Sequence, residues 1–319
     1  MRKYDIAGMK IGLVIILLLL SLSARGQDTR LLFWNLENFF DYHDDSLSVA
    51  DREFSSFGER HWTKKRFYVK CNAVAKTLLW IGEQRGGMPD ILAFAEIENR
   101  FVLKKLLTET ALRKLDYRIV HYDSPDPRGI DVALLYRGDR WDLLSSKPCR
   151  VGQTRDILQV SLGRKGAGDS LAILVNHHPS KYGGATASQI RRQAAVDRLR
   201  SVADSLMENG ERRIIALGDF NDTPDNPLYR RLSPPLFPLA DSLHRAGRGT
   251  IRFNGRWELI DLGFVSSALL PAARMEILSL PFLMVRDSPH PGDKPLRTYE
   301  GPRYRGGVSD HLPIYIVIK

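Results

Sequence analysis

Eight short apolar runs, each bounded by turn or polar residues, recur along this chain of 319 residues and constrain its fold more than any other feature. Apolar runs of roughly four to eight residues between turn signals are typical of buried β-strands. The predicted strands are Leu31–Trp34, Asp90–Ala95, Tyr117–Val120, Val132–Tyr136, Leu171–Val175, Arg213–Leu217, Leu259–Val265 and Leu312–Ile318. The sequence therefore predicts a protein built on buried β-sheet.

Two segments between these strands repeat apolar residues at helical spacing, one from Phe67 to Ile81 and one from Ile190 to Leu206. Each predicts a helix with a single core-facing stripe. Other strands are joined by short polar loops, so a mixed-sheet α/β protein fits better than a strictly alternating barrel. Because no linker, repeat or low-complexity tract interrupts the pattern, we expect one domain over residues 27–319.

Residues 1–26 differ from the rest of the chain. Arg2, Lys3 and Lys10 precede an apolar run at 11–22, and small residues then follow at the spacing of a cleavage site. This pattern predicts a secretory signal peptide. A membrane anchor needs about 20 consecutive apolar residues, and this run is shorter. We therefore expect an exported protein, periplasmic or secreted, without a stable membrane anchor.

Charge and cysteine content narrow the class further. Loss of residues 1–26 removes four basic and one acidic side chain, which lowers the formal charge from +10 to +7. A basic protein attracts polyanions, but this says nothing about specificity. The two cysteines, Cys71 and Cys149, either pair in an oxidising compartment or are buried thiols. Neither belongs to a metal-type or redox-type cysteine pair, which makes a thiolate site improbable.

Polar residues follow or precede five of the predicted strands at one end. They are Asn35 and Glu37; Glu96; Asn176, His177 and His178; Asp219, Asn221 and Asp222; and Ser309, Asp310 and His311. Strand ends in layered α/β folds converge on one edge, where ligand sites form. A single Asp or His at a strand end is usually only a turn residue. Five such clusters together predict a site.

The residue types at this edge suit hydrolysis of a phosphate ester. Oxygen ligands such as Glu96, Asp310 and the Asn35 amide favour Mg²⁺, Mn²⁺ or Ca²⁺ over zinc. An Asp–Asn pair two residues apart, Asp219 and Asn221, can orient and deprotonate an attacking water. Histidines can bind phosphate or protonate the leaving oxygen. No Ser or Cys is an obvious nucleophile, so direct attack by water is preferred.

These segments, taken in order, resemble the endonuclease/exonuclease/phosphatase superfamily over essentially the whole mature chain. The matching motifs are Phe33-Trp34-Asn35, Ala95-Glu96, Asn176-His177, Gly218-Asp219-Phe220-Asn221, Leu259-Ile260-Asp261 and Ser309-Asp310-His311. Gly-Asp-Phe-Asn followed by a terminal Ser-Asp-His is the specific part of the signal. The resemblance implies a four-layer α/β/β/α sandwich of two mixed β-sheets flanked by helices.

The resemblance also implies a role for each matching position. Metal binding would fall to Asn35, Glu96 and Asp310. The catalytic residues would be His177, which acts on the leaving group; Asp219, which activates water; Asn221, which contacts the phosphate; His311, which binds it; and Asp261, which orients His311. His177 is chosen over His178 because it directly follows Asn176 at the strand end.

Several other polar residues have weaker interpretations. Asp131 is either a partner carboxylate for His177 or a polar strand start. The acidic loop at 41–53 is either a structural Ca²⁺ site or a solvated loop, and it lacks ordered ligand spacing. The side chains of Lys181, Tyr182 and Arg191 either line a phosphate groove or are ordinary surface groups.

The leading functional hypothesis is a monomeric, divalent-metal-dependent phosphoesterase, with nucleic-acid phosphodiesters as the expected substrate. The basic charge and the dense runs Lys64-Lys65-Arg66 and Arg191-Arg192 favour a polyanion. Alternatives on the same fold are a sphingomyelinase, an inositol-phosphate or nucleotide phosphatase, and a silent phospho-ligand-binding module. A sphingomyelinase needs an exposed apolar hairpin, and the one candidate, residues 281–285, is expected to be a core strand. A zinc hydrolase would need a motif such as His-Glu-x-x-His, which the sequence lacks.

Overall fold

A computed structural model of the chain describes residues 28–45, 48–181 and 185–319. The predicted signal peptide at 1–26 and Tyr182 lie outside these ranges. The strands are β1 (Thr29–Phe39), β2 (Ile91–Ile97), β3 (Tyr117–His121), β4 (Asp131–Arg137), β5 (Trp141–Cys149), β6 (Ile157–Arg164), β7 (Ser170–His177), β8 (Ile214–Asp219), β9 (Leu236–Pro238), β10 (Ile251–Phe253), β11 (Arg256–Glu258), β12 (Asp261–Ser266), β13 (Ala273–Ile277), β14 (Met284–Arg286), β15 (Asp293–Pro295), β16 (Tyr299–Glu300), β17 (Arg303–Tyr304) and β18 (Ile314–Ile318).

The described helices are fewer than the strands. They are α1 (Val49–Glu53), α2 (Lys64–Gln84), α3 (Arg100–Thr108), α4 (Ala185–Glu208) and α5 (Asp241–Arg245), with 3₁₀ turns at Ala111–Lys114, Pro227–Leu232 and Pro281–Leu283. Helix α2 begins where the Thr63 hydroxyl accepts a hydrogen bond from Arg66 N, and α3 begins where the Asn99 side chain accepts one from Val102 N. Side-chain acceptors of this kind satisfy backbone donors that a helix start leaves free. No helix in the described ranges is both long and apolar enough to span a bilayer.

Two six-stranded sheets carry the fold, with strand orders β13-β18-β1-β2-β4-β3 and β5-β6-β7-β8-β12-β9. Strand β1 pairs in parallel with β2, and β7 pairs in parallel with β8. The remaining pairs within the two sheets are antiparallel. Both sheets are therefore mixed, as the linker pattern predicts.

Side chains alternate along β1 between two apolar cores. Leu31 and Phe33 lie in a core shared with β7 and β8 of the other sheet, whereas Leu32 and Trp34 pack with α2 and α3. This is the two-residue period of a strand that is covered on both faces. The first sheet thus lies between helices α2 and α3 on one face and the second sheet on the other. Helix α4 contributes buried side chains such as Leu199 to the core that contains Leu31 and Phe33. The arrangement is the four-layer sandwich that the resemblance implies.

All eight predicted strands and both predicted helices are present, but other elements lacked a sequence signal. Strand β5 is exposed over most of its length, from Asp142 to Ser145, so it forms no apolar run. The prediction of a core strand at residues 281–285 is wrong for its first three residues, and only Met284 and Val285 lie in a strand, the partly buried β14. Pro281–Leu283 is a 3₁₀ turn, and Phe282 is half exposed with its ring edge-on to Trp80 at 5.6 Å.

The two cysteines are free, buried thiols. They lie in different cores, Cys71 with α2 and Cys149 in the core that contains β7 and β8. Burial raises the pKa of the Cys71 thiol to about 12. A thiol held in its neutral form is a poor nucleophile, so both side chains act here as core residues.

Candidate active site

The ends of β1, β2, β7 and β8 meet at one edge of the sandwich. Asn35 lies opposite Ala95 in the β1–β2 pair, and His177 lies opposite Asp219 in the β7–β8 pair. Asp261 begins β12 directly opposite Asp219. The sandwich therefore brings together side chains that lie far apart in the sequence, such as those of Asn35 and Asp261.

Asp219 is the centre of this cluster. Its Oδ2 accepts a hydrogen bond from Asn35 Nδ2 at 3.0 Å and lies 3.6 Å from His177 Nε2 and 3.8 Å from His311 Nε2. Its Oδ1 accepts a bond from Asn221 N at 2.9 Å. Burial raises the pKa of Asp219 to about 7, although the nearby His311 opposes that rise. The carboxylate is thus held between two imidazoles and an amide.

His311 is paired on its other side with Asp261. Its Nδ1 lies 2.8 Å from Asp261 Oδ2, and its backbone N donates to Ser309 Oγ at 2.9 Å. Burial alone would lower the pKa of His311, but the carboxylates of Asp261 and Asp219 outweigh it and raise that pKa well above its usual value. The imidazole is therefore a cation at neutral pH, with Nε2 directed towards Asp219.

Glu96 is the carboxylate best placed to hold a metal ion. Its Oε1 lies 3.4 Å from Asn35 Nδ2, its Oε2 accepts a bond from Asn38 N at 2.7 Å, and its side chain is 13% exposed. Arg128 Nη2 lies 3.6 Å from Oε1. Asp310, the third predicted ligand, instead pairs with Arg297 at 2.9 Å. Hard oxygen donors at an accessible edge fit a divalent cation such as Mg²⁺.

A second group could also hold a metal by geometry alone. One ligand atom each from Asp219, Asp261 and His311 lies within 4.8 Å of the others. The raised pKa of His311 argues against this set, because a protonated imidazole has no lone pair to offer a cation. Asp219 lies 3.0 Å from Asn35, so its carboxylate is also close to the metal site proposed at Glu96.

The two adjacent histidines after β7 point to different surroundings. His177 Nε2 faces Asp219 and also lies 3.9 Å from Glu96 Oε1. The His178 ring packs on Phe220 at 4.5 Å, and neither of its nitrogens has a hydrogen-bond partner among the described residues. Adjacent strand residues face opposite sides of a sheet. Burial and Arg155 lower the pKa of both rings, that of His178 to about 3, so both are neutral at pH 7.

The Asn221 side chain is held by the backbone of His178, and Arg155, which sequence reasoning missed, contacts the same carbonyl. Asn221 Nδ2 donates to His178 O at 2.9 Å, and Arg155 Nη2 donates to the same oxygen at 2.6 Å. Arg155 is itself buried and paired with Asp126 at 2.8 Å. No sequence pattern around Arg155 indicated this contact with His178, because the residue lies in an irregular segment between β5 and β6.

Asp131 is not a partner of His177. Its Oδ2 lies 3.4 Å from His121 Nε2, and its Oδ1 accepts a bond from Ser124 N at 2.9 Å. The acidic loop also makes contacts within the protein. Asp41 N donates to Glu98 Oε2 at 2.6 Å, and Asp51 is buried in the first turn of α1. These carboxylates therefore organise loops around the edge.

One arginine of each basic run is engaged in contacts within the protein. The Arg66 guanidinium lies 4.4 Å from the centre of the Tyr304 ring and donates to two backbone carbonyls. Arg192 is buried, with Nε 3.4 Å from Asp222 Oδ2. Lys181 remains half exposed, 3.3 Å from Asp222 Oδ1. Two other arginines lie beside predicted metal ligands, Arg128 near Glu96 and Arg297 near Asp310, and neither carried a sequence signal of its own.

A family model described as endonuclease/exonuclease/phosphatase matches residues 30–319. No curated protein sequence matches the chain significantly. The human Nocturnin catalytic domain, solved with bound sulfate, is 20% identical with a TM-score of 0.60, over 92% of this chain and 94% of that one. D. rerio TDP2, complexed with a single-strand DNA product, is 14% identical with a TM-score of 0.56, over 92% and 100%. A Bacteroides thetaiotaomicron mannosyl-6-phosphatase is 16% identical with a TM-score of 0.59, over 91% and 100%. At these identities the solved structures show a shared fold.

Proposed function

The chain belongs to the endonuclease/exonuclease/phosphatase family, and from that premise we propose that it is a divalent-metal-dependent phosphoesterase that works by direct attack of water. The observation that carries the proposal is the position of Asp219. Its carboxylate lies within 4 Å of Asn35, His177 and His311 at one accessible edge. A buried carboxylate beside a fixed cation is suited to take a proton from water that attacks a bound phosphate.

The metal would be held by Glu96, by Asn35 once its amide turns so that Oδ1 replaces Nδ2 beside Glu96, and by Asp310 once it separates from Arg297. When bound, a divalent cation such as Mg²⁺ or Mn²⁺ neutralises phosphate charge and orients the ester. The fit rests on hard oxygen donors and on the 13% exposure of Glu96, which leaves the carboxylate open to a cation.

The chain's own residues supply the remaining steps. His311, kept protonated by Asp261, binds and stabilises a phosphate oxygen as negative charge develops there. Asp219 accepts the proton of the water that Asn221 helps to orient. His177 is neutral, so it acts on the leaving oxygen as a hydrogen-bond donor through Nε2 rather than as a standing cation. No side chain forms a covalent intermediate in this scheme.

We propose a nucleic-acid phosphodiester as the substrate, cleaved with little sequence preference. The proposal is supported by the formal charge of +7 that remains after loss of residues 1–26 and by Arg128 and Arg297 beside the predicted metal ligands Glu96 and Asp310. It is also supported by the shared fold of D. rerio TDP2, whose structure holds single-strand DNA product. Counterion release from a nucleic-acid backbone would make binding strongly salt-dependent.

The test is a hydrolysis screen of the purified protein with Mg²⁺, Mn²⁺ and Ca²⁺ against DNA, RNA, sphingomyelin liposomes, inositol phosphates and nucleotides. The expected result is metal-dependent cleavage of DNA or RNA whose rate falls steeply as salt rises. Preferential hydrolysis of liposomes would overturn the nucleic-acid assignment and leave the phosphoesterase chemistry in place. Binding without turnover of any ester would favour a silent phospho-ligand-binding module.

We further propose that the protein is exported and monomeric. Its N-terminal 26 residues carry the charge and apolar pattern of a signal peptide. Amino-terminal sequencing of protein from a native host should begin at Gln27, and light scattering should give the mass of one chain. A mature protein that retains Met1 would contradict removal of the signal.

A further inference from the structure

A cavity of about 250 Å³ opens beside the candidate active site. Its walls come from the C-terminal end of β1, from the loop that precedes α2 and from the segment that runs from the end of β15 through β16. The side chains that matter to its chemistry are Glu37, Asn38, Phe54, Arg60, Arg297 and Tyr299. None of them belongs to the catalytic set that the sequence motifs define.

Two contacts join this cavity to the catalytic carboxylates. The backbone N of Asn38 donates to Glu96 Oε2 at 2.7 Å. Arg297 bridges the cavity and the edge, because its Nε lies 3.0 Å from Glu37 Oε1 while its Nη2 lies 2.9 Å from Asp310 Oδ2. An ester whose phosphate lies at Glu96 and Asp310 therefore has one substituent next to the cavity.

The backbone around the cavity is held in costly conformations. Glu37, Asn38 and His61 have φ angles of 47°, 48° and 45°, in the left-handed region that non-glycine residues seldom adopt. In the described part of the chain only six non-glycine residues have positive φ. Strained residues of this kind persist where the surroundings fix them, and they concentrate at ligand sites. The cavity therefore has a defined shape before any ligand enters.

The walls combine two aromatic rings at right angles to each other with hydrogen-bonding groups. The rings of Phe54 and Tyr299 are buried and meet edge-on at 5.9 Å, and the Arg60 guanidinium lies within 5.6 Å of both ring centres. Arg60, Arg297 and Asn38 add donors and acceptors at the rim. Such a mixture suits a ligand with one C–H face and several hydroxyl groups, and it does not suit an acyl chain.

The size of the cavity limits the ligand to one ring. A volume of 250 Å³ holds roughly eight water molecules at about 30 Å³ each. One five- or six-membered ring with its hydroxyl groups fits this space, whereas a stretch of duplex does not. The choice of ligand therefore rests on shape as well as on polarity.

We propose that this cavity binds the sugar ring, a pentose or hexose, that is bonded directly to the scissile phosphate. The inference rests on the proposed phosphoesterase function and deepens it by naming the substrate class. That class is phosphorylated sugars, either free or at the end of a polynucleotide strand, and it excludes phospholipids whose phosphate is attached to an acyclic chain.

The experiment compares matched esters with and without a ring. Ribose 5-phosphate is paired with glycerol 3-phosphate among monoesters, and a dinucleoside monophosphate is paired with glycerophosphocholine among diesters. In the ester class that is hydrolysed, kcat/KM should be at least tenfold higher for the ring-bearing member. Arg60→Gln should reduce that preference about tenfold. Arg274→Gln serves as the control, because this exposed arginine on β13 pairs with Val317 near the strand end farthest from His311.

A second variant keeps the test informative if Arg60→Gln misfolds, and a binding measurement keeps it informative if no ester is hydrolysed. Phe54→Trp should narrow the cavity and raise KM more for the ring-bearing ester than for the ring-free one. Calorimetry on Asp219→Asn should give Kd values at least tenfold lower for the ring-bearing member of each pair. Comparing ribose 5-phosphate with a single-stranded oligonucleotide then distinguishes a free sugar phosphate from a strand end.

Equal kcat/KM and equal Kd within both pairs would overturn the cavity assignment even if hydrolysis is fast. An equal loss on both members of a pair in Arg60→Gln would also overturn it, because the arginine would then act on the phosphate or on folding. Selective binding of the ring with no hydrolysis of any ester by the wild type would leave the cavity assignment standing and remove the proposed function.

Discussion

Nδ1 of His311 lies 2.8 Å from Oδ2 of Asp261, and both side chains are almost fully buried. The pair fixes the imidazole ring and keeps it charged, because the carboxylates of Asp261 and Asp219 together raise the pKa of His311 well above its usual value. The His311 cation is therefore already charged and oriented before any phosphate binds. Electrostatic preorganisation of this kind is often the largest single contribution to catalysis.

Replacing either member of this pair should therefore impair turnover. His311→Ala removes the cation and should lower kcat about 10²- to 10⁴-fold. Asp261→Asn should also lower kcat, because the amide cannot hold the charge of the ring, and the loss should be partly offset at lower pH. Steady-state rates from pH 5 to 8 check this. An Asp261→Asn enzyme with wild-type kcat at pH 8 would contradict the role.

The adjacent histidines should behave differently from one another. His177→Ala removes the imidazole that faces Asp219 and should lower kcat about 10²- to 10⁴-fold. His178→Ala should change kcat far less and should instead lower the melting temperature, because it leaves a cavity against Phe220. Kinetics and thermal unfolding of both variants test the difference. A larger loss of kcat in His178→Ala would mean that the functional ring is the other one.

Arg155 should act on turnover through Asn221. It donates to the same His178 carbonyl that anchors the Asn221 amide. Arg155→Lys keeps the charge but loses the two-pronged contact to Asp126 and His178. We expect about a tenfold loss of kcat with little change in KM, and no further loss when Asn221→Ala is added. Additive losses in the double variant would show that the two residues act independently.

Lys70 should make stability depend on alkaline pH. Its buried Nζ donates to Glu37 O and Thr298 Oγ1, and burial lowers the pKa of Lys70 from 10.5 to about 8, although Glu37 opposes that shift. A base with a lowered folded-state pKa contributes stability that is present above pH 10.5 and is lost as pH falls through 8.

The comparison with Lys70→Met isolates this contribution. Between pH 8 and 10.5 the unfolded wild-type chain binds more protons than the folded one. The wild-type free energy of unfolding should therefore rise with increasing pH, relative to that of Lys70→Met. The relative slope should be at most about 1.4 kcal/mol per pH unit. Urea titrations at several pH values measure it. Parallel profiles for the two proteins would contradict a buried, weakly basic Lys70.

Much of the fold was predictable because its central strands are covered on both faces. Strands β1, β2, β7 and β8 form apolar runs, and their ends carry the polar residues of the site. Strand β5 was not predictable, because its four consecutive exposed residues, Asp142 to Ser145, leave both faces solvated there and remove the alternation that marks a half-buried strand.

The site was predictable only where a side chain belongs to a strand end or to a motif. Asn35, Asp219 and His311 meet as the motifs indicate. Arg297 could not be found in this way, because it lies in an irregular segment and reaches Glu37 and Asp310 only in the folded chain. Asp131 was uncertain for the opposite reason: its neighbour His121 comes from the paired strand β3, and local sequence does not reveal that contact.

Glu96 provides the most direct test of metal-dependent hydrolysis at this edge. The measurement is the initial rate against Mg²⁺ or Mn²⁺ concentration, after removal of metal by chelation, for wild type and Glu96→Gln on the ester that the screen identifies. We expect no turnover in excess chelator, full recovery of the wild type on adding metal, and for Glu96→Gln a metal requirement shifted at least tenfold higher with an intact fold by circular dichroism. Full activity in excess chelator, or identical metal titrations for the two proteins, would contradict the account.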